Sequence, residues 1–152
     1  MQQFDVVILG AGFGGSLTAL LLDCIGLSVA LVDRGTHPRF TIGESSTPAA
    51  GYLLQSLAAQ YDLPQFEPFC KYGTWQQAHP DISCGIKRGF SYFAHTPHQP
   101  FQAQPAHGSE LLVTANLSDT LADTHWYRAD IDHWFARQVA ASGIVYRDQT
   151  EI

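Results

Sequence analysis

Residues 6–16 read VVILGAGFGGS, an apolar run followed at once by closely spaced glycines. The apolar run extends from Phe4 to Gly10, which is typical of a parallel strand buried on both faces. From Gly14 to Cys24 leucines recur at helical spacing, and Gly26 follows as a stop signal. The next apolar stretch, LSVALVD at residues 27–33, predicts a second buried strand. The chain therefore begins with a predicted β-α-β unit.

Three glycines at the end of the first predicted strand have the spacing G-x-G-x-x-G: Gly10, Gly12 and Gly15. This spacing permits a tight turn, close approach of a pyrophosphate to the backbone, and close packing of the helix on the strand. At the helix start, the N–H groups of Phe13 and Gly14 then face the phosphates, and the helix dipole favours negative charge there. The motif predicts an α/β, Rossmann-like dinucleotide-binding fold.

An acidic residue, Asp33, ends the second predicted strand. An acid at this place accepts hydrogen bonds from a ribose hydroxyl, and its charge disfavours the 2′-phosphate of NADP. The adjacent Arg34 weakens the argument against NADP, since it carries the opposite charge. These residues predict a nucleotide site but do not separate FAD from NAD.

Composition restricts the class of protein further. The 152 residues are 45% hydrophobic, which is enough for the core of one domain, and the formal net charge of −6 argues against binding to nucleic acid or anionic lipid. The three cysteines form no CxxC pair, so neither a disulfide framework nor a zinc site is predicted, and no other metal site is expected. We expect a cytoplasmic protein without a membrane span.

The rest of the chain predicts a mixture of elements. Residues 34–48 are predicted as a loop and Ala49–Tyr61 as a helix. Residues 64–108 are predicted as an irregular or β excursion, with strands at KYGTWQQA (71–78) and RGFSYFAH (88–95). An amphipathic helix is predicted from Asp130 to Gly143, and a further strand follows it. Because a parallel strand normally feeds into another connection, we expect an incomplete fold.

The stretch HPRFTIGESSTP at residues 37–48 resembles the segment after the second strand of flavin-dependent halogenases and their FAD-dependent monooxygenase relatives. In that family a Gly-Glu-Ser turn lies beside the FAD and belongs to a mobile strap over it. The matching residues here are Gly43, Glu44, Ser45, Ser46, Thr47 and Pro48, and the resemblance implies that Gly43, Glu44 and Ser45 contact FAD. For Glu44, a solvated or helix-capping acid is the alternative.

A second resemblance covers ADTHWYRADIDHWFARQ at residues 122–138. In the halogenase group an arginine precedes a helix that begins with aspartate and lies near the adenosine end of the cofactor. Arg128 and Asp132 occupy these places. The resemblance implies that Arg128 contacts the cofactor phosphates, and a salt bridge between Arg128 and Asp132 at i, i+4 is the alternative.

The segment CGIKRGFSYF at residues 84–93 carries the third resemblance. A lysine near this point in the halogenases presents the electrophilic halogen to an electron-rich ring, which implies that Lys87 is the catalytic residue. A buried lysine is costly and tends to be functional. The alternatives are an exposed charge beside Arg88 at a strand edge, or a catalytic role for Lys71, the weaker candidate.

The resemblance implies that residues 1–152 form a single, truncated FAD-binding domain of a halogenase-like oxidoreductase, with 64–108 inserted into it. The whole enzyme would act on an aromatic or other electron-rich small molecule and receive reduced flavin from a separate flavin reductase. Halogenation and direct oxygenation both remain open. The alternatives are an NAD-dependent dehydrogenase or reductase of Rossmann type, and a fragment without catalytic activity.

Overall fold

A computed structural model describes residues 2–114 and 116–152 of the chain, which form short strands and helices. In chain order the elements are β1 (Val6–Leu9), α1 (Phe13–Cys24), β2 (Val29–Val32), β3 (Glu44–Ser45), α2 (Pro48–Gln60), α3 (Tyr72–Ala78), β4 (Cys84–Lys87), β5 (Phe90–Phe93), β6 (Glu110–Val113), β7 (Asp123–Trp126), α4 (Arg128–Ser142) and β8 (Val145–Arg147). Short 3-10 helices cover Pro64–Cys70, Pro105–His107 and Asp119–Leu121.

The predicted β-α-β unit is present and forms most of a parallel sheet. The strand order is β1-β2-β8, with Val6 opposite Val29 and Ala30 opposite Val145. All four residues of β2 are buried, as the continuous apolar run predicts. Helices α1 and α4 pack against each other beside this sheet.

The prediction that β1 is buried on both faces is wrong for this chain. Val7 is 53% exposed and Leu9 67% exposed, while Val6 and Ile8 are half-buried. Residues two apart on a strand share a face, so Val7 and Leu9 form an apolar strip that solvent reaches. The composition of β1 is therefore that of a covered strand, although one of its faces is open in the described chain.

An aromatic core connects the helices. Phe66, Phe69 and Phe135 are buried, and the ring centroid of Phe135 lies 4.9 Å from that of Phe66 and 5.9 Å from that of Phe69. Trp75 meets Phe69 edge to face at 4.8 Å. Within α4 the buried residues recur at helical spacing, and Gly143 ends the helix with a left-handed φ of 92°. This core fixes α4, and with it the residues at the start of α4, relative to α1.

Two antiparallel sheets lie outside the parallel sheet. One has the order β3-β7-β4 and pairs Glu44 with Trp126 and Lys87 with Asp123. The other consists of β5 and β6. Strands of the predicted excursion 64–108 thus pair with strands beyond it, and β3 is a two-residue strand within the stretch predicted as a loop.

The strand predicted at KYGTWQQA is wrong, because these residues form α3. The Trp75 ring is fully buried and its indole N–H donates to the carbonyl of Ile82 at 2.9 Å, so tertiary packing decides the conformation. The strand predicted at RGFSYFAH is confirmed as β5, and the helix predicted at residues 49–61 is confirmed as α2. Among the described residues, no helix is both long and apolar enough to cross a membrane.

Candidate functional site

The glycine turn between β1 and α1 has the geometry that its spacing predicts. Gly10 has a φ of 105°, a left-handed conformation that favours glycine. A Cβ on Gly15 would lie 1.9 Å from the carbonyl oxygen of Gly10, so only glycine allows α1 to approach the turn this closely. A Cβ on Gly14 would meet nothing within 4 Å, which leaves the start of the helix open on that side.

Asp33 lies against this turn as a buried carboxylate. It accepts from the backbone N–H of Ala11 at 2.6 Å and of Gly35 at 2.7 Å. Both of its oxygens also pair with the guanidinium of Arg39, whose Nη2 lies 2.8 Å from Oδ2. The Arg39 guanidinium and the two backbone donors hold the pKa of Asp33 well below its usual range.

Arg39 is a further residue of this region, and the sequence pattern does not predict its role. Its fork forms a bidentate pair with a buried carboxylate, and the pairing raises the pKa of Arg39. A cavity of about 380 Å³ opens here at the carboxyl ends of β1 and β2. Its lining includes Leu9, Gly10, Asp33, Arg34 and Arg39. In the sequence Arg39 is a single arginine in a predicted loop, and no motif or residue spacing identifies Asp33 as its partner.

Arg128 lies on the other side of the glycine turn, at the start of α4. Its Nε and Nη2 donate to the two oxygens of Asp132 at 2.6 and 2.9 Å, and its Nη1 lies 2.9 Å from Oε2 of Glu44. These carboxylates, Asp132 first, raise the pKa of Arg128. A Cβ on Gly12 would lie 3.3 Å from Nη2 of Arg128, so the guanidinium adjoins the turn. The salt bridge considered as the alternative is therefore present.

Asp132 has a second contact that the sequence did not indicate. Its Oδ1 accepts from the backbone N–H of Phe13 at 3.1 Å, so a carboxylate from α4 caps the first residue of α1. Asp132 is buried, with 1% of its surface exposed, and its charge is neutralised by Arg128. One of the N–H groups predicted to face a phosphate is thus already bonded within the protein.

The strap, residues 43–47, is fixed to β7. Ser46 donates its N–H to the carbonyl of Thr124 at 2.9 Å, and its Oγ accepts from the N–H of Thr124 at 3.1 Å. A second cavity of about 250 Å³ lies here. It is lined by Phe13, Glu44, Ser45, Ser46, Thr47, Ala50 and Trp126. Ser46 was not predicted as a site residue, although it continues the run of small polar residues after Glu44.

Lys87, the predicted catalytic residue, lies at the end of β4 and is 8% exposed. Its ammonium donates to the carbonyl of Ser46 and lies 4.9 Å from the centre of the Phe90 ring. The alternative of an exposed lysine is wrong, whereas the neighbouring Arg88 is exposed and pairs with Asp119 at 2.7 Å. Lys71, the weaker candidate, lies 3.3 Å from Asp123.

The structure therefore brings the predicted residues together in two connected groups. The first surrounds the glycine turn, with Asp33 and Arg34 on one side and Arg128 and Glu44 on the other. The second consists of the strap and Lys87, which meet at the carbonyl of Ser46. Glu44 belongs to both groups, because β3 carries it beside Arg128.

Comparison with known proteins finds similarity to halogenases. The monodechloroaminopyrrolnitrin halogenase PrnC of Pseudomonas fluorescens is 28% identical over 151 residues, 99% of this chain and 26% of PrnC. The tetracycline 7-halogenase of Kitasatospora aureofaciens is 25% identical over 133 residues, 88% of this chain and 23% of that enzyme. A crystal structure of halogenase PltM with phloroglucinol and FAD covers 99% of the chain with a TM-score of 0.79 and 30% identity.

The chain is related to the amino-terminal part of flavin-dependent halogenases. It spans about a quarter of the length of the curated halogenases and 29% of PltM. No protein-family model matches the chain. The likeness to PltM confirms the predicted Rossmann-like fold and the predicted halogenase resemblance.

Proposed function

We propose that this chain is the FAD-binding part of a flavin-dependent halogenase-like oxidoreductase. The observation that carries the proposal is the pair of cavities on either side of the glycine turn, with Arg128 between the strap and that turn. A dinucleotide has two ends joined by a pyrophosphate, and this arrangement offers one cavity to each end. A crystal structure of the similar halogenase PltM contains FAD, and the similar protein gsfI of Penicillium aethiopicum is a flavin-dependent halogenase, which favours FAD over NAD.

The residues of the turn fit a pyrophosphate. Gly14 lies at the start of α1 with open space beside it, and the first N–H groups of α1 have no acceptor within the helix, although that of Phe13 is bonded to Asp132. Arg128 keeps donors beyond those that Asp132 uses, so it can pair with a phosphate without losing its salt bridge. In this proposal Gly10, Gly12, Gly14, Gly15 and Arg128 hold the pyrophosphate, while Phe13, whose N–H is bonded to Asp132, contacts the cofactor as part of the lining of the cavity beside the strap.

The two cavities then receive the two ends of FAD. The cavity beside Asp33 and Arg34 takes the adenosine, with Asp33 accepting from the ribose directly or shaping its site through Arg39. The cavity beside Gly43, Glu44 and Ser45 takes the flavin side. Small polar side chains and backbone N–H groups suit the edge of such a ring.

Lys87 is proposed as the catalytic residue of the whole enzyme. When bound, reduced FAD would activate molecular oxygen, which is the oxidant that would convert halide to an electrophilic species. Lys87 then holds that species beside an aromatic or other electron-rich small molecule, because its buried ammonium is a directed hydrogen-bond donor. A separate flavin reductase is proposed as the source of reduced flavin.

A titration of the 152-residue chain with FAD, and separately with NAD, tests the proposal. We expect saturable FAD binding that raises the melting temperature, and no stabilisation by NAD. Gly12→Val should abolish FAD binding because its side chain would push against Arg128 and Asp132, each 3.3 Å from the position of a Cβ, and so displace the guanidinium proposed to pair with the pyrophosphate. Gly108→Val, in an exposed turn, should bind normally.

Each other outcome supports a stated alternative. Stabilisation by NAD alone would favour an NAD-dependent dehydrogenase or reductase. A folded, monomeric chain that binds neither nucleotide would favour the fragment without catalytic activity. Retained FAD affinity in the Gly12→Val variant would overturn the assignment of the pyrophosphate site.

A further inference from the structure

Asp123 is a buried acid that the proposed function leaves unused. Its residue is 2% exposed, and its Oδ1 lies 3.3 Å from the ammonium of Lys71. Its Oδ2 is also buried and has no hydrogen-bond partner in the described part of the chain. A buried carboxylate oxygen without a donor is costly, so a second donor is expected for it.

Lys87 lies directly opposite Asp123 in the antiparallel pairing of β4 with β7. Residues opposite each other in such a pair project their side chains from the same face, with Cβ atoms about 5 Å apart. The ammonium of Lys87 bonds to the Ser46 carbonyl and forms no ion pair with any described carboxylate. A buried carboxylate with one oxygen, Oδ2, lacking a donor and a buried cation lacking a counter-charge therefore lie on the same face of this strand pair.

We propose that Asp123 is a positioning residue for Lys87 and that Lys71 competes with Lys87 for its carboxylate. The inference rests on the proposed catalytic role of Lys87. The negative charge of Asp123 attracts and orients the Lys87 ammonium, and an ammonium has no lone pair. Lys87 held in this way donates a hydrogen bond to the electrophilic halogen species and does not attack it as a nucleophile.

The charged and titratable groups around this arrangement come from four elements. Lys71 precedes α3, Asp123 begins β7 and Lys87 ends β4, while the Tyr52 ring of α2 lies 5.6 Å from the ammonium of Lys71. Asp123 is thus the one carboxylate that the described structure places between two lysines. Removing the charge of Asp123 makes the electrostatic potential at Lys87 more positive. Removing the charge of Lys71 makes it more negative.

The test measures the acetylation rate of Lys87 by acetic anhydride as a function of pH, with the modified site located by mass spectrometry. In Asp123→Asn the midpoint of the rate profile should shift to lower pH by about one unit, because the carboxylate that favours the ammonium is lost. Asp123→Glu should restore the profile. Asp119→Asn, which removes an exposed acid paired with Arg88, is the matched control and should leave it unchanged.

Lys71→Gln provides a second readout that survives if Asp123→Asn does not fold. It frees the carboxylate for Lys87 and removes a like charge, so the midpoint should shift to higher pH. Folded variants in which the Lys87 profile stays at the wild-type midpoint would overturn the inference, as would a shift in the same direction for both. FAD titration of each variant tests the proposed function independently. Loss of FAD binding would overturn the proposed function, whereas the Lys87 acetylation profile tests only the role of Asp123.

Discussion

At the scale of single residues, the buried pair of Asp33 and Arg39 links the glycine turn to the loop that follows β2. The carboxylate fixes the N–H of Ala11 within the turn, while the guanidinium neutralises it. Removing the charge of Asp33 by Asp33→Asn should therefore lower the free energy of unfolding by about 2 kcal/mol at pH 7. The melting temperature and urea unfolding of the two proteins measure this difference.

The pair of Asp33 and Arg39 should also make the unfolding free energy depend on pH. Because the folded-state pKa of Asp33 is depressed, its contribution to stability is complete above the ordinary carboxyl pKa of about 4 and is lost as the pH falls further. Unfolding free energies measured from pH 7 to pH 2.5 should fall more steeply below pH 4 in the wild type than in Asp33→Asn. Parallel curves for the two proteins would contradict this assignment.

Sequence reasoning finds some residues of the site and misses others for a physical reason. Gly10 and Gly15 are recognised because the backbone requires glycine there, and this requirement produces a fixed spacing. Arg39 and Ser46 act through partners that are distant or formed by backbone, at Asp33 and Thr124. Such pairings depend on how the elements pack together, so residue spacing in the sequence does not predict them.

At the scale of elements, the strap depends on its attachment to β7. The hydroxyl of Thr124 lies 3.2 Å from that of Ser46 and accepts from the indole N–H of Trp126 at 2.7 Å. Thr124→Val should loosen the strap, accelerate hydrogen exchange at the Ser46 N–H, and weaken FAD binding by about tenfold, the equivalent of one lost hydrogen bond. Thr74→Val, which alters a hydroxyl on α3, is the control and should keep wild-type affinity.

The open face of β1 leads to a prediction about association. Val7 and Leu9 form an exposed apolar strip on a strand at the end of the described sheet, and such a strand can pair with another chain. Val7→Lys should reduce self-association in light-scattering measurements without a large change in melting temperature. Leu117→Lys alters another exposed leucine away from β1 and should leave association unchanged. Equal association of all three proteins would remove β1 as the contact.

The elements also show where sequence patterns fail. The β-α-β unit and α4 are predictable because their apolar periodicity matches the packing that each element finds. The helix α3 is not predictable in this way, since it is short and its aromatic content resembles that of a strand. Burial of Trp75 against Phe69 selects the helix, and that contact exists only after folding.

At the scale of the whole molecule, the two cavities predict that the adenosine end and the flavin end of FAD bind independently. ADP carries the adenosine end and the pyrophosphate, whereas riboflavin carries the ring that the strap cavity is proposed to hold. We expect each compound to compete with FAD but not with the other, because they occupy opposite sides of the glycine turn. FAD should bind more tightly than either, since the second contact of a linked ligand is intramolecular.

Thr124→Val distinguishes this arrangement from a single shared site. The substitution alters only the strap side, so it should weaken FAD and riboflavin while ADP retains its wild-type dissociation constant, as measured by calorimetry. If ADP weakened as much as FAD, the strap would act on the whole glycine turn, through the contact between Glu44 and Arg128. Unchanged binding of all three ligands would mean that the flavin end lies elsewhere, and that the strap cavity serves the small-molecule substrate instead.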